Sequence, residues 1–413
     1  MSTISRRDLL TWFALTPTVP FVVRESARAA TAGTHAAAAG AAGGHDGRVV
    51  VVLRLRGGND GLNTVVPVRD DRYYRARPTI AIPRRDTIPL DGSDLGLNPW
   101  LGHFRRLMDD GHAAIVQGVG YPRSSRSHSR ATEIWETGSV APEAPRHGWL
   151  GRYLDHACEC GDEALAGVQF DETLGRTLAS ASGRSASIGH PELLLGLDAV
   201  PPPAAARGPR TGRLDYLRQV DNGLAHAARQ LHRARAGTGG GFDYPDSAFG
   251  QSLRWTGDMI ETGCPTRVYY VSLGSFDAPD SASFDTHVDQ PAKHRVLFTE
   301  LGRGLRAFTR HLRRAGQLDR VLLLTFSDFG RLVTENQTGG TEHGDAGVLF
   351  VAGGGVRAGL LGEPADLGKV TRGGLDASVD FRDIYADVLQ RWLGVDPAAI
   401  LGPAVGSFPV VSA

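Results

Sequence analysis

Lysine is almost missing from these 413 residues: of 45 basic side chains, only Lys293 and Lys369 are lysines. With the heavy Ala, Gly and Pro load, that bias points to a GC-rich coding sequence rather than to chemistry. An excess of charge of either sign is missing too, because Asp and Glu also number 45. Without a basic surplus nothing concentrates a phosphodiester backbone, so nucleic acid is not an expected partner. Cysteine is scarce and odd in number. Cys158, Cys160 and Cys264 allow at most one disulfide, and Cys158-Glu159-Cys160 lacks the second Cys/His pair that a zinc site needs. No uncharged apolar run reaches the roughly 20 residues that span a bilayer, so no transmembrane segment is expected in the mature chain.

What is present begins at the N-terminus. Ser5-Arg6-Arg7-Asp8-Leu9-Leu10 leads into an apolar stretch from Leu9 to Val23, and Ala27-Arg28-Ala29 offers a small-x-small cleavage pattern. This resembles a twin-arginine signal peptide over residues 1–29. The resemblance implies the twin-arginine translocase as an export partner and a periplasmic, extracellular or envelope-associated location. Residues 30–47 are small and nearly free of large apolar groups, which predicts a disordered linker.

From Arg48 the pattern changes. Val49 to Leu55 is a β-branched run of the kind that fills a central strand, and similar runs recur at 113–119, 268–273, 321–326 and 348–352. Trp100, Phe104, Leu107 and Met108 form one helical stripe, and Leu297, Leu301, Leu305, Phe308 and Leu312 form a longer one. Ile384, Val388, Leu389 and Trp392 mark a last amphipathic helix. Strand-helix-strand order predicts a single α/β domain over 48–413, with a mainly parallel central sheet and helices on both faces. Residues 139–265 interrupt the alternation with Pro201-Pro202-Pro203 and Gly237 to Gly241, and read as a helical insertion or cap.

Ligands of open α/β sheets gather beyond the carboxyl ends of the strands. Polar clusters stand at those exits here: Gly57-Gly58-Asn59-Asp60-Gly61, Arg126-Ser127-His128, Asp285-Thr286-His287, Ser327-Asp328-Phe329-Gly330-Arg331 and Gly340 to Gly344 with His343. Oxygen and imidazole donors together suit one or two divalent metal ions such as Zn, Mn, Mg or Ca. Asp60, Asp285, His287, Asp328 and His343 are the ligand candidates. Ser127 and His128, opening a helix to Thr137, are the catalytic candidates, and Arg126 and Arg331 are the candidates for holding a small anionic ester. Each also has a structural reading: Asp60 suits a turn, Asp285 and His287 a solvated loop, Asp328 a helix N-cap, and Ser127 a capping hydroxyl.

These motifs, together with Gly148-Trp149-Leu150-Gly151-Arg152 and Val379-Asp380-Phe381-Arg382-Asp383, resemble the exported bacterial family catalogued as domain of unknown function 1501. That family is similar to the alkaline phosphatase and sulfatase superfamily. The resemblance implies an alkaline-phosphatase-like fold and a metal site drawing on Asp60, Ser127, Asp285, His287, Asp328 and His343. The superfamily's later Asp-His doublet is met here by Asp328-Phe329, and Glu342 stands where the smaller family commonly has Asp. Two functions follow: a metal-dependent hydrolase of phosphate or sulfate esters, or a non-catalytic exported binding or assembly protein on the same fold.

Overall fold

The computed structural model describes residues 47–157, 165–171, 173–195, 227–237, 241–275, 282–403 and 405–412. The signal-peptide segment 1–29, the linker up to residue 46, Cys158, Cys160 and the three-proline run 201–203 lie outside the described residues.

Nine strands build the central sheet. In chain order they are β1 (Val49–Leu55), β2 (Ala113–Gly120), β3 (Gly167–Gln169), β4 (Ser185–Ser187), β5 (Val268–Leu273), β6 (Val321–Ser327), β7 (Gly347–Gly353), β8 (Gly359–Leu361) and β9 (Val379–Asp380). Their order across the sheet is β8, β2, β7, β6, β1, β5, β3, β4, with β9 also paired to β2. Every pairing is parallel except those of β7, which runs against both β6 and β2. The reversal has a local cause. Between β6 and β7 the chain makes only a short excursion, whose strands are Arg331–Glu335 and Thr341–His343, and it returns without a crossover helix.

The valine run of β1 shows no polar alternation because both faces of the sheet are covered. Val49, Val51, Leu53 and Leu55 join one buried core and Val50 and Val52 the other. Helices α1 (Gly102–Asp109), α4 (Ala248–Glu261) and α5 (Gln290–Arg314) supply the first core, and α2 (His128–Thr137), α3 (Trp149–Ala157) and α6 (Phe381–Asp387) the second. The expected α/β architecture, a mainly parallel sheet between two helical layers, is what the chain adopts. Among the described residues no helix is long and apolar enough to cross a membrane.

Two local expectations need correction. Residues 139–265 are not purely helical, since β3 and β4 extend the main sheet beside β5. Gly167-Val168-Gln169 and Ser185-Ala186-Ser187 are too short and too poor in β-branched side chains to announce themselves as strands. Trp100, read as the first member of the α1 stripe, is 44% exposed, because Pro99–Leu101 winds as a 3₁₀ turn and rotates it away from the core.

Candidate metal centre

The carboxyl ends of β1, β2, β5 and β6 point to one side of the sheet, and the loops leaving them meet there. Gly57 is the pivot of that meeting. It adopts φ +102°, and a Cβ at this position would collide with the backbone at Asp285, so a glycine lets the β1 exit lie against the loop after β5. The β2 exit delivers Ser127 as the N-cap of α2, with an extended backbone and no side-chain capping bond, and Gly138 in the left-handed region closes that helix.

Three imidazoles converge on Asp285. His128 Nε2 lies 3.3 Å from Asp285 Oδ2, while His287 Nε2 and His343 Nε2 lie 3.0 and 3.1 Å from Oδ1. Ligand atoms of His128, Asp285 and His343 all fall within 4.8 Å of one another. Each Nδ1 is turned the other way, onto an acceptor: His128 onto Asp328 Oδ2 at 2.8 Å, His287 onto Glu342 Oε2 at 2.8 Å, and His343 onto the Arg126 carbonyl at 2.9 Å. A carbonyl only accepts, so His343 Nδ1 carries a proton, and when the ring is neutral its lone pair is on Nε2. The carboxylates at His128 and His287 favour the same tautomer.

That assignment sets lone pairs against one another. His287 Nε2 and His343 Nε2 stand 2.9 Å apart, and both face a carboxylate. Neutral imidazoles so oriented repel each other and Asp285 unless positive charge sits among them. The donor set therefore fits a divalent cation: His128, Asp285 and His343 bring their ligand atoms close to one another, His287 Nε2 lies beside that of His343, and each imidazole is steadied from behind by an acceptor. Hydrogen bonds to Asp285 and Asp328 push the His128 imidazole up to about 9, so a proton competes with an ion for Nε2. Burial would raise Asp285, but hydrogen bonds from His128 and His343 and the Arg331 guanidinium hold it well below the usual carboxylate range. Phe329 packs against His128 and His343, with ring centroids 4.8 and 4.2 Å away, and walls the cluster on one side.

Of the residues singled out from sequence, Asp285, His287, His343 and His128 are brought together, with His128 among the ligand-type groups rather than apart as a base. Three others are placed differently from expectation. Asp60 is fully buried and its carboxylate is already saturated: Oδ1 accepts from the backbone of Leu62 and Asn63, and Oδ2 from Gln290 and from Arg77 at 2.8 Å. Asp328 is also fully buried and holds His128 from behind, its Oδ1 accepting from Arg54 and Thr132. Arg331 cannot grip a substrate, since its Nε donates to Gly58, Nη1 to Thr341, and Nη2 to Phe284 and Asp285. It is a buried strut that ties its own strand to three other segments. Arg126 donates to Asp345 and to the Arg372 carbonyl and contributes its own carbonyl to His343.

Beside the cluster a cleft of about 610 Å³ opens, lined by Ser127, His128, Thr132, Glu136, Arg54 and Arg176 among others. Arg54 and Glu136 carry no signal in the sequence beyond being charges within otherwise buried elements. That clue, a lone Arg inside a valine-rich strand, is the one that could have found Arg54. A second grouping of ligand types, Asp258, Glu261 and His311, lies on α4 and α5. There His311 is already satisfied, by Tyr244 at Nδ1 and Glu261 at Nε2.

The family model described as "Protein of unknown function (DUF1501)" matches residues 225–408. The matched segment covers less than half of the chain. It carries Asp285, His287, Asp328, Arg331 and His343, while Asp60, Ser127 and His128 precede it, so the centre joins DUF1501 sequence to the part of the chain before it. No curated protein matches the chain. Solved structures similar to it include a phosphonate monoester hydrolase from Silicibacter pomeroyi, at 12% identity and a TM-score of 0.40, covering 86% of this chain and 77% of that one. A sulfatase from Pseudoalteromonas sp. is similar at 14% identity and TM-score 0.37, covering 84% and 68%. A protein in the alkaline phosphatase superfamily from Vibrio parahaemolyticus is similar at 11% identity and TM-score 0.38, covering 86% and 69%.

Proposed function

We propose that this protein is a metal-dependent hydrolase of phosphate or sulfate esters. The observation that carries the reading is the convergence of His128, His287 and His343 on Asp285, each ring held from behind, at the mouth of an open polar cleft. These four residues would hold one divalent ion. Three nitrogens and one carboxylate favour zinc or a similar transition ion over magnesium or calcium. When bound, such an ion supplies Lewis-acid stabilisation of charge gathering on the ester oxygens.

The chain's own groups supply the rest. Asp328, Glu342 and the Arg126 carbonyl fix the tautomer and orientation of the imidazoles. Ser127 presents an exposed hydroxyl, free of capping duty, at the N-terminus of α2 and in the cleft wall. Its oxygen would attack phosphorus or sulfur as the alcohol departs, the hydroxyl proton passing to solvent, and water would then cleave the serine ester. The test is elemental analysis of the purified protein with assays on a panel of phosphate and sulfate esters. One metal per chain and turnover on some ester are expected; a protein that takes up no metal and hydrolyses none of the panel is the non-catalytic binding protein instead. Ser127→Ala should keep its metal and lose at least about a hundredfold in turnover. Retention of most of the turnover would assign the attack to water.

We also propose twin-arginine export, on the strength of Arg6-Arg7 and Ala27-Arg28-Ala29. Lysine at both Arg6 and Arg7 should leave uncleaved precursor in the cytoplasm, read by fractionation and immunoblot. Normal export of that double variant rules the route out.

A further inference from the structure

We propose that the cleft beside the imidazole cluster is a subsite for hydrophilic oxyanion esters, with Arg54 as the residue that grips the anion. The inference rests on the hydrolase reading and names the substrate class of the same site. Arg54 stands on β1, inside an otherwise apolar strand, and reaches the cleft floor. One of its nitrogens, Nη2, is committed, donating to Thr132 Oγ1 at 2.8 Å and Asp328 Oδ1 at 3.1 Å. Its Nε is buried with no partner in the protein. A buried unpaired guanidinium N–H is costly, and it is rare unless a ligand or water completes it. Asp328 accepts from Arg54 on one oxygen and holds His128 Nδ1 with the other. An oxyanion resting on Arg54 is thus one carboxylate away from the cluster.

The rest of the lining describes what the anion is attached to. Arg130 and Arg176 both pair with Glu133, and Glu136 accepts from Tyr270 at 3.0 Å and from the Arg176 backbone at 3.1 Å. Three arginines line the wall, with Glu133, Glu136 and, behind Arg54, Asp328 as their counter-charges. Apart from the His128 imidazole no ring lines it, and no aliphatic side chain does. Small-molecule sites are ordinarily mostly apolar, so this lining is unusual. An acyl chain or aryl ring placed here would strip charged groups of water and return nothing, whereas a hydroxylated body replaces that water hydrogen bond for hydrogen bond. The cleft accordingly selects short polyol esters over lipid or aryl esters.

The experiment titrates the mature chain with inorganic phosphate and inorganic sulfate by calorimetry, with EDTA and again after metal addition. Binding of one anion per chain is expected in both states, weakened at least tenfold in Arg54→Lys, which keeps the charge but loses the planar fork. Ser129→Asp is the second variant. It adds a negative charge to an exposed cleft position at a helix N-terminus, where the fold tolerates one, and it too should weaken phosphate at least tenfold. Unchanged affinity in both variants, each folded by circular dichroism, overturns Arg54 as the grip, as does finding no anion binding at all. Glycerol 2-phosphate should compete better than 1-naphthyl phosphate, and the reverse order overturns the hydrophilic assignment. Anion binding that depends on Arg54 in a chain that takes up no metal would refute the hydrolase reading and leave the subsite standing; metal uptake with anion binding indifferent to Arg54 would do the opposite.

Discussion

Alanine at His343 should yield a folded protein that has lost its metal and, with it, its turnover. His343 is well suited to this substitution because it sits on the short strand Thr341–His343, partly exposed, and its removal opens no hole in either hydrophobic core. What it removes is one of three imidazole donors facing Asp285, together with the 2.9 Å approach to His287. Loss of a partner behind a metal-bound histidine weakens the ion by about 10–100-fold, and loss of the histidine itself should exceed that range. Metal per chain should fall from near one to a trace after dialysis, and ester turnover should fall in proportion. Glu342→Gln, which weakens the support behind His287, should fall within the 10–100-fold window and so calibrate the larger effect. A His343→Ala protein that retains stoichiometric metal would remove the imidazole cluster from consideration as the centre.

Asp60→Ala should fail in a different way, by losing stability rather than an ion. Its carboxylate faces Arg77 in full burial, and the other partners of that guanidinium, the Asn63 side chain and the carbonyls of Leu332 and Val333, are neutral. Removing one member of a buried pair leaves the other charge uncompensated, at a cost of about 3–5 kcal/mol. Urea unfolding should therefore shift by that amount while metal content, per folded molecule, stays level. Acid tests the same pair. Burial opposes charge on Asp60, yet Arg77 and the hydrogen bonds to it hold the carboxyl below its ordinary value. A depressed folded value means stability that is present above the unfolded carboxyl range, near about 4, and lost as pH falls toward the folded value. Asp60→Asn should lose most of that acid-sensitive component. A variant of normal stability that cannot retain metal would instead make Asp60 a ligand.

The contrast between Asp60 and Asp285 shows where sequence reading stops. Both are aspartates in loops that follow β-branched strands, and both read as possible ligands for the same reason. What separates them is Arg77, seventeen positions after Asp60, whose burial beneath Leu332 and Val333 is a matter of tertiary packing and leaves no local pattern. Arg331 was obscured in the same way, since four acceptors from three segments occupy all three of its nitrogens. The sheet itself was plain, because strands buried on both faces read as mostly apolar runs without polar alternation, as β1, β2, β5, β6 and β7 do. His343 stood out because a histidine in a glycine-flanked loop has little to do in a core. The strands β3 and β4 were invisible, being three residues each and rich in small or polar side chains.

The pairing of β1 has a consequence for how the chain comes into being. Val50 is matched with Val268, and Val49 with Val321, so the first strand to leave the ribosome waits more than two hundred residues for either neighbour. Until then, four consecutive valines and a leucine present two unpaired edges and two apolar faces, the pattern most prone to sticking to other chains. Sequence-distant pairing of this sort is also slow to nucleate, because loop-closure entropy must be overcome before any strand contact is gained. The nascent chain thus carries an exposed, adhesive strand during most of its own translation, and His128, Asp285, His287 and His343, drawn from loops that β1 helps to fix, come together only after that wait is over.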